Sequence, residues 1–571
     1  MFIPNKYQAF ESISLENRQW PSKTITEAPR WCSVDLRDGN QALINPMSRA
    51  QKMRFFEILV QAGFKEIEIG FPSASQIEFD FSRDLIDGNR IPDDVSIQIL
   101  TQAREHLIAR SFEAVKGSKR AIIHVYNSTS PAQREVVFRK SPKEIIDIAK
   151  KGVRQIKELS RRTQTEIVLE YSPESFSQTE LPFAKDICDA VIDTWMPQGD
   201  EKVIINLPST VEVASPNVYA DQIEWMSTRM QNRRHAIISV HTHNDRGCAV
   251  AAAELAQMAG AQRVEGTLFG NGERTGNTDL VTLAFNLFSQ GIDPQLNFSD
   301  PASVVQTYME CTGMPIHPRH PYVGELVYTA FSGSHQDAIS KGLNSYHRGD
   351  NTVWNIPYLP MDPRDIGRSY EAIIRINSQS GKGGAAYILE NRFGYRLPRV
   401  MHPEFGGIIQ KTADLKGCEL TAKQVHDCFQ MEYIKRDTPF SLHTLQSLGQ
   451  KEQTAGDDGP ISISAQVKHD NTIMQITGQG NGVLDAFAAA LKQNGVPPFR
   501  LLSYDEHSLQ EGSNAQAVCY IRIEVQDGGH YFGVGVDTDI ARASARALVS
   551  AINRSYPKRS RRCTVAAKGV C

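Results

Sequence analysis

The sequence lacks the features that mark several classes of protein. Its 571 residues include nine cysteines, but these form no CxxC pair and no regular spacing. A disulfide framework and a cysteine-rich zinc module are therefore not indicated, and a reducing compartment fits. The formal net charge is only -3 and the pI is about 6.6. Neither nucleic acid nor an anionic membrane is favoured as a partner by so small a charge.

Long apolar runs are also missing. The first residues, MFIPNKYQAF, contain no basic segment followed by an apolar stretch. No part of the sequence approaches the roughly 18 consecutive apolar residues that read as a membrane-spanning helix. We therefore expect a soluble, cytoplasmic protein whose partners are small molecules and other protein chains.

What the sequence does contain is an ordinary globular composition, with 40% hydrophobic and 22% charged residues, in a chain too long for one core. We predict three parts. Residues 1–300 carry an α/β domain with its core at about 30–300, residues 301–438 form linker subdomains, and residues 439–571 form a C-terminal α+β domain.

Short apolar or β-branched runs alternate with longer helical patterns between Trp31 and Gly270. The runs are WCSVDL, EIEIG, SIQIL, RAIIHVY, EIVLEY, KVIINL, IISVHTH and RVEGTLFG. Near-continuous apolar strands separated by helices are typical of a parallel sheet buried on both faces. Eight of them in about 240 residues favour a closed (β/α)8 TIM barrel over a doubly wound open sheet.

Polar residues stand at the C-terminal end of every one of these runs. In (β/α)8 barrels the catalytic groups lie at that end of the strands and in the loops that follow. We therefore expect a site there. The residues are Arg37, Asp38, Glu68, Thr101, His124, Ser172, Glu174, Thr210, His241, His243 and the loop GNGERTGN at Gly270–Asn277.

Three of these residues suggest a metal site. His241 and His243 are two apart in a predicted strand, so their side chains point to one face. Asp38 ends the first strand, which closes against the eighth. Two imidazoles and a carboxylate form a ligand set with open positions, and the residue types do not choose between magnesium, manganese and zinc. Histidines that only make hydrogen bonds are the alternative.

Arg37, directly beside Asp38, has two interpretations. It is either an ion-pair partner of that carboxylate or a contact for a substrate oxygen that becomes negative during a reaction. We favour the second.

Several long motifs resemble those of the 2-isopropylmalate synthase family, which includes homocitrate synthases. LRDGNQ at Leu36–Gln41, followed by Lys52, and SVHTHNDRGCAVA at Ser239–Ala251 look like the paired signatures of that family. The resemblance extends over nearly the whole chain because further motifs occur in the expected order. These are GFPSAS, YSPESF, NLPSTVE, GNGERTGN, SGSHQDA and PYLPMDPRDIGR.

The resemblance implies a metal-dependent Claisen-type condensation of acetyl-CoA with 3-methyl-2-oxobutanoate, followed by thioester hydrolysis. The products would be (2S)-2-isopropylmalate and CoA, in the first committed step of leucine biosynthesis. It also implies a homodimer and feedback inhibition by leucine. Homocitrate or citramalate synthesis, or a lyase reaction on the same barrel, is the alternative.

The resemblance also assigns roles to single residues. The implied metal ligands are Asp38, His241, His243 and Asn277, of which the residue pattern alone reads Asn277 as a turn residue. The implied catalytic groups are Arg37, Glu174, His335 and Tyr358, the last two reaching the site from the partner subunit. The implied residues for the oxo acid are Leu100, His124, Ser172 and Thr210.

Ordinary structural roles stand beside these assignments. Glu174 is a helix-capping or surface carboxylate in that interpretation, and Leu100 is a packing residue. His335 and Tyr358 are then buried polar residues of a linker domain.

Beyond Gly459 the sequence repeats a strand, strand, helix order, which predicts a small α+β domain with internal pseudo-symmetry. By resemblance this domain binds leucine between the repeats. The candidate contacts are Gly478, Gly480, Gly482, Gly533 and Gly535. Glycine allows a close backbone approach to a ligand, although turn formation explains the same residues.

Two further functions compete with the synthase. One is a barrel hydrolase that uses the HxH pair to activate water, although such enzymes usually draw this pair from the first strand. The other is a leucine-binding sensor whose barrel is inactive.

Overall fold

The computed structural model describes residue 6 and residues 9–330, 332–349, 353–368, 384–416, 420–448, 460–510, 512 and 514–556. The chain divides into two compact units. The first comprises Met1–Val327 and Met361–Arg368, and the second comprises Tyr328–Pro360 and Ser369–Cys571. None of the helices described is both long enough and apolar enough to span a membrane.

The first unit contains a closed barrel of eight parallel strands, paired in chain order with the first against the eighth. The predicted barrel is confirmed, and each of the eight apolar runs supplies one strand. The strands are β1 Arg30–Ser33, β2 Glu66–Gly70, β3 Ser96–Gln102, β4 Arg120–Ser128, β5 Glu166–Glu174, β6 Val203–Ser209, β7 Ala236–Thr242 and β8 Arg263–Gly266.

Amphipathic helices alternate with the strands, and a further helix follows the barrel. Two of them, α1 and α4, begin with a capping box. In each, the side chain of a serine and that of the residue three positions later accept hydrogen bonds from each other's backbone amides. The pairs are Ser48 with Gln51 and Ser141 with Glu144. The helices are α1 Arg49–Gln61, α2 Gln76–Asp87, α3 Glu105–Val115, α4 Pro142–Ser160, α5 Leu181–Trp195, α6 Pro216–Arg229, α7 Ala249–Met258, α8 Leu280–Phe288 and α9 Pro301–Thr312.

The first strand is shorter than its apolar run. It ends at Ser33, and residues Asp35–Gly39 form a single wide helical turn instead. The carboxylate of Asp35 accepts hydrogen bonds from the Ser33 hydroxyl and from the backbone amide of Leu268. These bonds tie the turn to the loop that follows β8, and the turn carries Arg37 and Asp38.

In its described residues, the second unit begins with four α-helices and ends with two three-stranded antiparallel sheets, each followed by a helix. The helices before the sheets are α10 Gly333–His347, α11 Gly384–Phe393, α12 His402–Lys416 and α13 Ala422–Phe429. The first repeat is β9 Phe440–Leu448, β10 Ile461–His469, β11 Thr472–Gly480 and α14 Val483–Gln493. The second repeat is β12 Phe499–Ser508, β13 Ala517–Val525, β14 His530–Asp537 and α15 Ile540–Ser555.

The predicted internal repeat is confirmed, with one strand more in each copy. The additional strands, β9 and β12, both lie at sheet edges, in the orders β11-β10-β9 and β12-β13-β14. Much of each is exposed, so their sequences lack the apolar alternation that marks β10 and β13.

Helices α11, α12 and α13 share a hydrophobic core with the second sheet. Phe405 and Phe429, fully buried on α12 and α13, belong to the same cluster as Tyr520 and Phe532 of β13 and β14. The predicted domain boundary at residue 438 therefore runs beside a shared core, and it stays a prediction.

Four of the predicted leucine-contact glycines have a packing role in the sheets. A Cβ atom on Gly478 or Gly480 would overlap the backbone of α14, and one on Gly533 or Gly535 would overlap the backbone of α15. Glycine is therefore required for each helix to lie directly on its strand. Gly482 differs, because nothing lies within 4 Å of a Cβ placed there.

We expect Gly533→Ala to destabilise the second repeat by about 1 to 3 kcal/mol, the usual cost of overpacking a core. The added methyl group must push α15 away from β14. Hydrogen exchange of β13 amides in the full-length chain measures the free energy of local opening.

Gly482→Ala is the matched control for this substitution. It adds the same methyl group in open space, so the change should stay within about 0.5 kcal/mol. Equal exchange rates in both variants would contradict the packing role.

Candidate active site

A cleft of about 390 Å³ opens at the C-terminal ends of the barrel strands. Most of the candidate site residues line it, although they are scattered along the sequence. Those that line it are Arg37, Asp38, Leu100, His124, Ser172, Glu174, Thr210, His241 and His243. The barrel therefore brings together most of the residues at its strand ends, whereas Glu68 and Thr101 are fully buried and do not line the cleft.

The proposed metal ligands form one buried cluster. The Oδ2 atom of Asp38 lies 3.3 Å from Nε2 of His241 and 3.7 Å from Nε2 of His243. One donor atom from each of the three residues falls within 4.8 Å of the others. Their spacing and burial match a site that holds a cation with one carboxylate and two imidazoles.

Asn277, which lies outside the cluster of three residues, also bears on whether a metal ion fits the site. Its Nδ2 atom donates a 2.9 Å hydrogen bond to Oδ2 of Asp38, which turns the amide toward the cluster. Its Oδ1 atom is buried and has no hydrogen-bond partner among the described residues. A buried amide oxygen without a partner is costly. A hard cation would supply the missing partner, so the donor set fits a divalent metal.

The electrostatics of the cluster also favour a cation. Burial opposes ionisation of Asp38, but Arg37 and the two histidines outweigh burial and lower the pKa of this carboxyl. Burial likewise lowers the pKa of His241, yet its hydrogen bonds to Asp38 and Glu265 raise it overall to about 9. Burial and the neighbouring His241 lower the pKa of His243 to about 4. Without a metal, the proton on His241 balances the buried carboxylate.

Arg37 connects the metal cluster to the substrate side of the cleft. Its Nη1 donates to Asp38 at 2.7 Å and its Nε donates to Glu68 at 2.5 Å. The ion pair with Asp38 is therefore present. Because Arg37 also lines the cleft, its contact with a substrate oxygen stays a prediction.

His124 is held in one orientation by partners on both sides of its ring. Nδ1 lies 2.9 Å from the Glu68 carboxylate, which only accepts, so the ring hydrogen is on Nδ1. Nε2 lies 2.7 Å from the hydroxyl oxygen of Ser172, within hydrogen-bond distance. Thr210 lies nearby in the same cleft, where its hydroxyl oxygen accepts from the backbone amide of Ser175.

Glu174 lies at the end of β5 with its side chain at the cleft. The hydroxyl of Ser128 donates to its Oε2 atom. The carboxylate is therefore not the helix cap of the alternative interpretation, because it is part of a strand and faces the cleft.

His335 and Tyr358 lie in the second unit, and the structure brings them together. Their rings stack with centroids 3.9 Å apart and an angle of 24° between the planes. The structure does not support the alternative of buried linker residues, since His335 is exposed and Tyr358 is 61% exposed.

Below the cleft lies a buried polar network, of which the sequence analysis selected only Glu68. It consists of Glu68, Gln98, Glu170, Arg263 and Glu265, all with no exposed surface. Burial raises the pKa of Glu170 well above its usual range, whereas for Glu265 the charge of Arg263 outweighs burial and lowers it. Polar residues at inward positions of the runs EIEIG, SIQIL, EIVLEY and RVEG were the available signal.

Comparisons with known proteins agree with this geometry. Residues 28–307 match the HMGL-like family, residues 325–390 match an alpha-isopropylmalate synthase post-catalytic domain, and residues 419–556 match the LeuA allosteric (dimerisation) domain. A hydroxymethylglutaryl-CoA lyase structure from Pseudomonas aeruginosa covers 51% of this chain and 94% of its own, at 19% identity and a TM-score of 0.42.

Two curated relatives match nearly the full length. The 2-isopropylmalate synthase of Clostridium acetobutylicum is 53% identical over 562 residues, which cover 97% of this chain and 100% of the relative. The 2-isopropylmalate synthase of Parafrankia sp. is 54% identical over 554 residues, 96% of this chain and 97% of the relative.

The fold and the site define a (β/α)8-barrel enzyme of the HMGL-like class with a candidate divalent-metal site. Within that class, the chain belongs to the 2-isopropylmalate synthase family. The resemblance seen in the sequence motifs is thereby confirmed.

We expect Asp38→Asn to weaken divalent-metal binding by at least about 100-fold. Loss of an outer-shell partner alone typically costs 10- to 100-fold, and here a ligand charge is removed. Metal content after gel filtration, with a calorimetric titration of Mn²⁺, measures the effect.

Glu180→Gln serves as the control. It removes a carboxylate that pairs with Arg134 and does not line the cleft, so metal binding should be unchanged. Unchanged metal binding in Asp38→Asn would exclude the cluster as the metal site.

Proposed function

We propose that this enzyme condenses acetyl-CoA with 3-methyl-2-oxobutanoate and hydrolyses the thioester, giving (2S)-2-isopropylmalate and CoA. The observation that carries the proposal is the buried cluster of Asp38, His241 and His243 inside the cleft. Asn277 contacts this cluster through Asp38, and its buried amide oxygen has no hydrogen-bond partner among the described residues. The full-length similarity to 2-isopropylmalate synthases supports the same reaction.

The proposed ligands would hold a magnesium, manganese or zinc ion. Bound there, a divalent cation supplies Lewis acidity that polarises the keto group of the oxo acid. Asp38 and the two histidines provide the donor atoms, and Asn277 adds its amide oxygen. Arg37, fixed by Asp38 and Glu68, stabilises the oxygen that becomes negative during carbon-carbon bond formation.

Glu174 is the proposed base that removes a proton from the methyl group of acetyl-CoA. One of its oxygens is oriented by the Ser128 hydroxyl, and in the described part of the chain Oε1 has no hydrogen-bond donor. That oxygen is available to accept a proton at the cleft. A base must first be within reach of the proton that it takes, and the position of Glu174 at the end of β5, in the lining of the cleft, supports this role.

Recognition of the oxo acid is assigned to four residues of the same cleft. His124, Ser172 and Thr210 offer polar groups for the carboxylate, and Leu100 provides an apolar wall for the isopropyl group. Selection by an apolar wall is modest, since one methylene is worth about 1 to 3 kcal/mol. Related oxo acids should therefore react at reduced efficiency.

We propose that the enzyme acts as a homodimer. The match of residues 419–556 to a dimerisation domain supports this arrangement. His335 and Tyr358, stacked and exposed, are proposed to act in the active site of the partner subunit as acid-base or water-activating groups.

We also propose that leucine inhibits the enzyme through the C-terminal domain, residues 439–571. The family match to an allosteric domain supports this regulation. Of the five candidate glycines, Gly482 is the one with open space around it, at the N-terminus of α14. The half-buried backbone there has open space beside it for an amino-acid ligand.

A panel of 2-oxo acids tests the reaction. With acetyl-CoA present and thiol release as the measurement, kcat/KM should be highest for 3-methyl-2-oxobutanoate. Pyruvate, which lacks the branched tail, should be about 10- to 200-fold worse. A preference for pyruvate or 2-oxoglutarate would reassign the enzyme within its family, and no thiol release with any oxo acid would favour a hydrolase.

Gly482→Ala tests the regulation. We expect the leucine concentration for half-inhibition to rise about tenfold, which corresponds to about 1.4 kcal/mol of lost binding, because the methyl group fills the open space. Activity without leucine should not change.

Gly407→Ala on α12 is the control, since a Cβ there also meets nothing within 4 Å. Equal leucine sensitivity in both variants would remove Gly482 from the leucine site.

A further inference from the structure

Arg263 is a buried cation at the centre of the barrel. Its guanidinium donates to Gln98 at 2.7 Å and to Glu265 at 2.8 Å, and its Nε lies 2.5 Å from Glu66. Glu170 lies 3.4 Å from its Nη2. Strands β2, β3, β5 and β8 thus meet at one positive charge below the cleft.

Glu265 extends this network to the metal cluster. One of its oxygens, Oε1, accepts from Arg263 and from Gln98 at 3.0 Å. The other oxygen lies 2.8 Å from Nδ1 of His241 and also accepts from Asn206 at 3.2 Å. Because a carboxylate is only an acceptor, the hydrogen between Glu265 and His241 lies on Nδ1.

Glu170 has a different role, although it is equally buried and equally close to the centre. With His124 and Glu265 it forms a second group of possible metal-binding side chains. The positively charged guanidinium of Arg263 lies beside the carboxylates of Glu170 and Glu265. It therefore supplies the positive charge that a metal ion would bring to this second group. Neither oxygen of Glu170 has a hydrogen-bond partner among the described residues. Its ion pairs there are with His124 and Arg263, which are not proposed metal ligands.

We propose that Glu265 is a positioning residue for the metal site, held in place by Arg263. By accepting the Nδ1 hydrogen it leaves Nε2, the nitrogen on the Asp38 side of the ring, as the one that can bind a metal. It also fixes the plane of the ring. The inference rests on the proposed metal function of His241, and it gives a role to Glu265, which is not one of the proposed metal ligands.

The geometry gives the proposal a matched pair of variants. Glu265→Gln and Glu170→Gln are both isosteric changes at carboxylates with no exposed surface, and both residues adjoin Arg263. Only Glu265 touches a proposed metal ligand. A general disturbance of the buried network around Arg263 would appear in both variants, whereas a positioning effect appears in one.

Titration of Mn²⁺ into the metal-free, full-length protein is the measurement. We expect Glu265→Gln to weaken Mn²⁺ affinity 10- to 100-fold, which is the usual effect of losing the partner of a metal-bound histidine. Glu170→Gln should bind Mn²⁺ within about twofold of the unsubstituted chain, because a group with no contact to a ligand has little influence on affinity.

A second variant covers the case in which Glu265→Gln does not fold. Glu265→Asp keeps the negative charge beside Arg263 but shortens the side chain by one methylene, so the acceptor withdraws from His241. It should weaken Mn²⁺ binding to a similar extent. Urea unfolding of each metal-free variant separates loss of affinity from loss of structure.

The possible outcomes separate this inference from the proposed function. If the unsubstituted chain binds no Mn²⁺, the metal site itself is wrong. If that chain binds Mn²⁺ and Glu265→Gln binds it equally well, only the positioning role is overturned. Equal weakening by Glu265→Gln and Glu170→Gln also overturns it.

Discussion

Burial of charge inside the barrel is the constraint on which the active site depends. Isolated carboxylates cannot stay ionised in a dry interior, so each one here is paired or neutral. Arg263 pairs with Glu265 and Glu66, and Arg37 pairs with Glu68 and Asp38. Removing one member of such a pair typically costs about 3 to 5 kcal/mol because the other charge is left buried. The network therefore fixes the strands and the site together.

This constraint also explains the shape of the first strand. A strand that continued to Leu36 would carry Asp38 away from the mouth along the barrel wall. The turn at Asp35–Gly39, tied to Leu268 by the Asp35 carboxylate, brings Asp38 against the histidines of β7 instead. Burial raises the pKa of Asp35 to about 7, so this tie is itself a buried acidic group stabilised by its hydrogen bonds.

Much of the fold could be predicted from the sequence because strands and helices leave patterns in short stretches of consecutive residues. Apolar runs such as SIQIL bury both faces and become barrel strands, and the HxH spacing places two imidazoles on one side. The roles of Glu265 and Asn277 could not be predicted in the same way. Glu265 acts through Arg263 and His241, which are brought beside it by barrel closure. Asn277 is distinguished by an amide oxygen without a partner, a property of the folded chain alone.

The glycines of the C-terminal domain show why a sequence pattern does not by itself define a binding site. Gly478 and Gly533 occupy corresponding places in the two repeats, and each faces the backbone of the helix that follows its strand. Their spacing therefore reflects the packing of a helix on a sheet in both copies, whether or not a ligand binds. A glycine that helix packing does not require is a better candidate for a ligand contact. Gly482, with open space around it, meets this condition, so a leucine site in this domain is better sought at the N-terminus of α14 than along the strands.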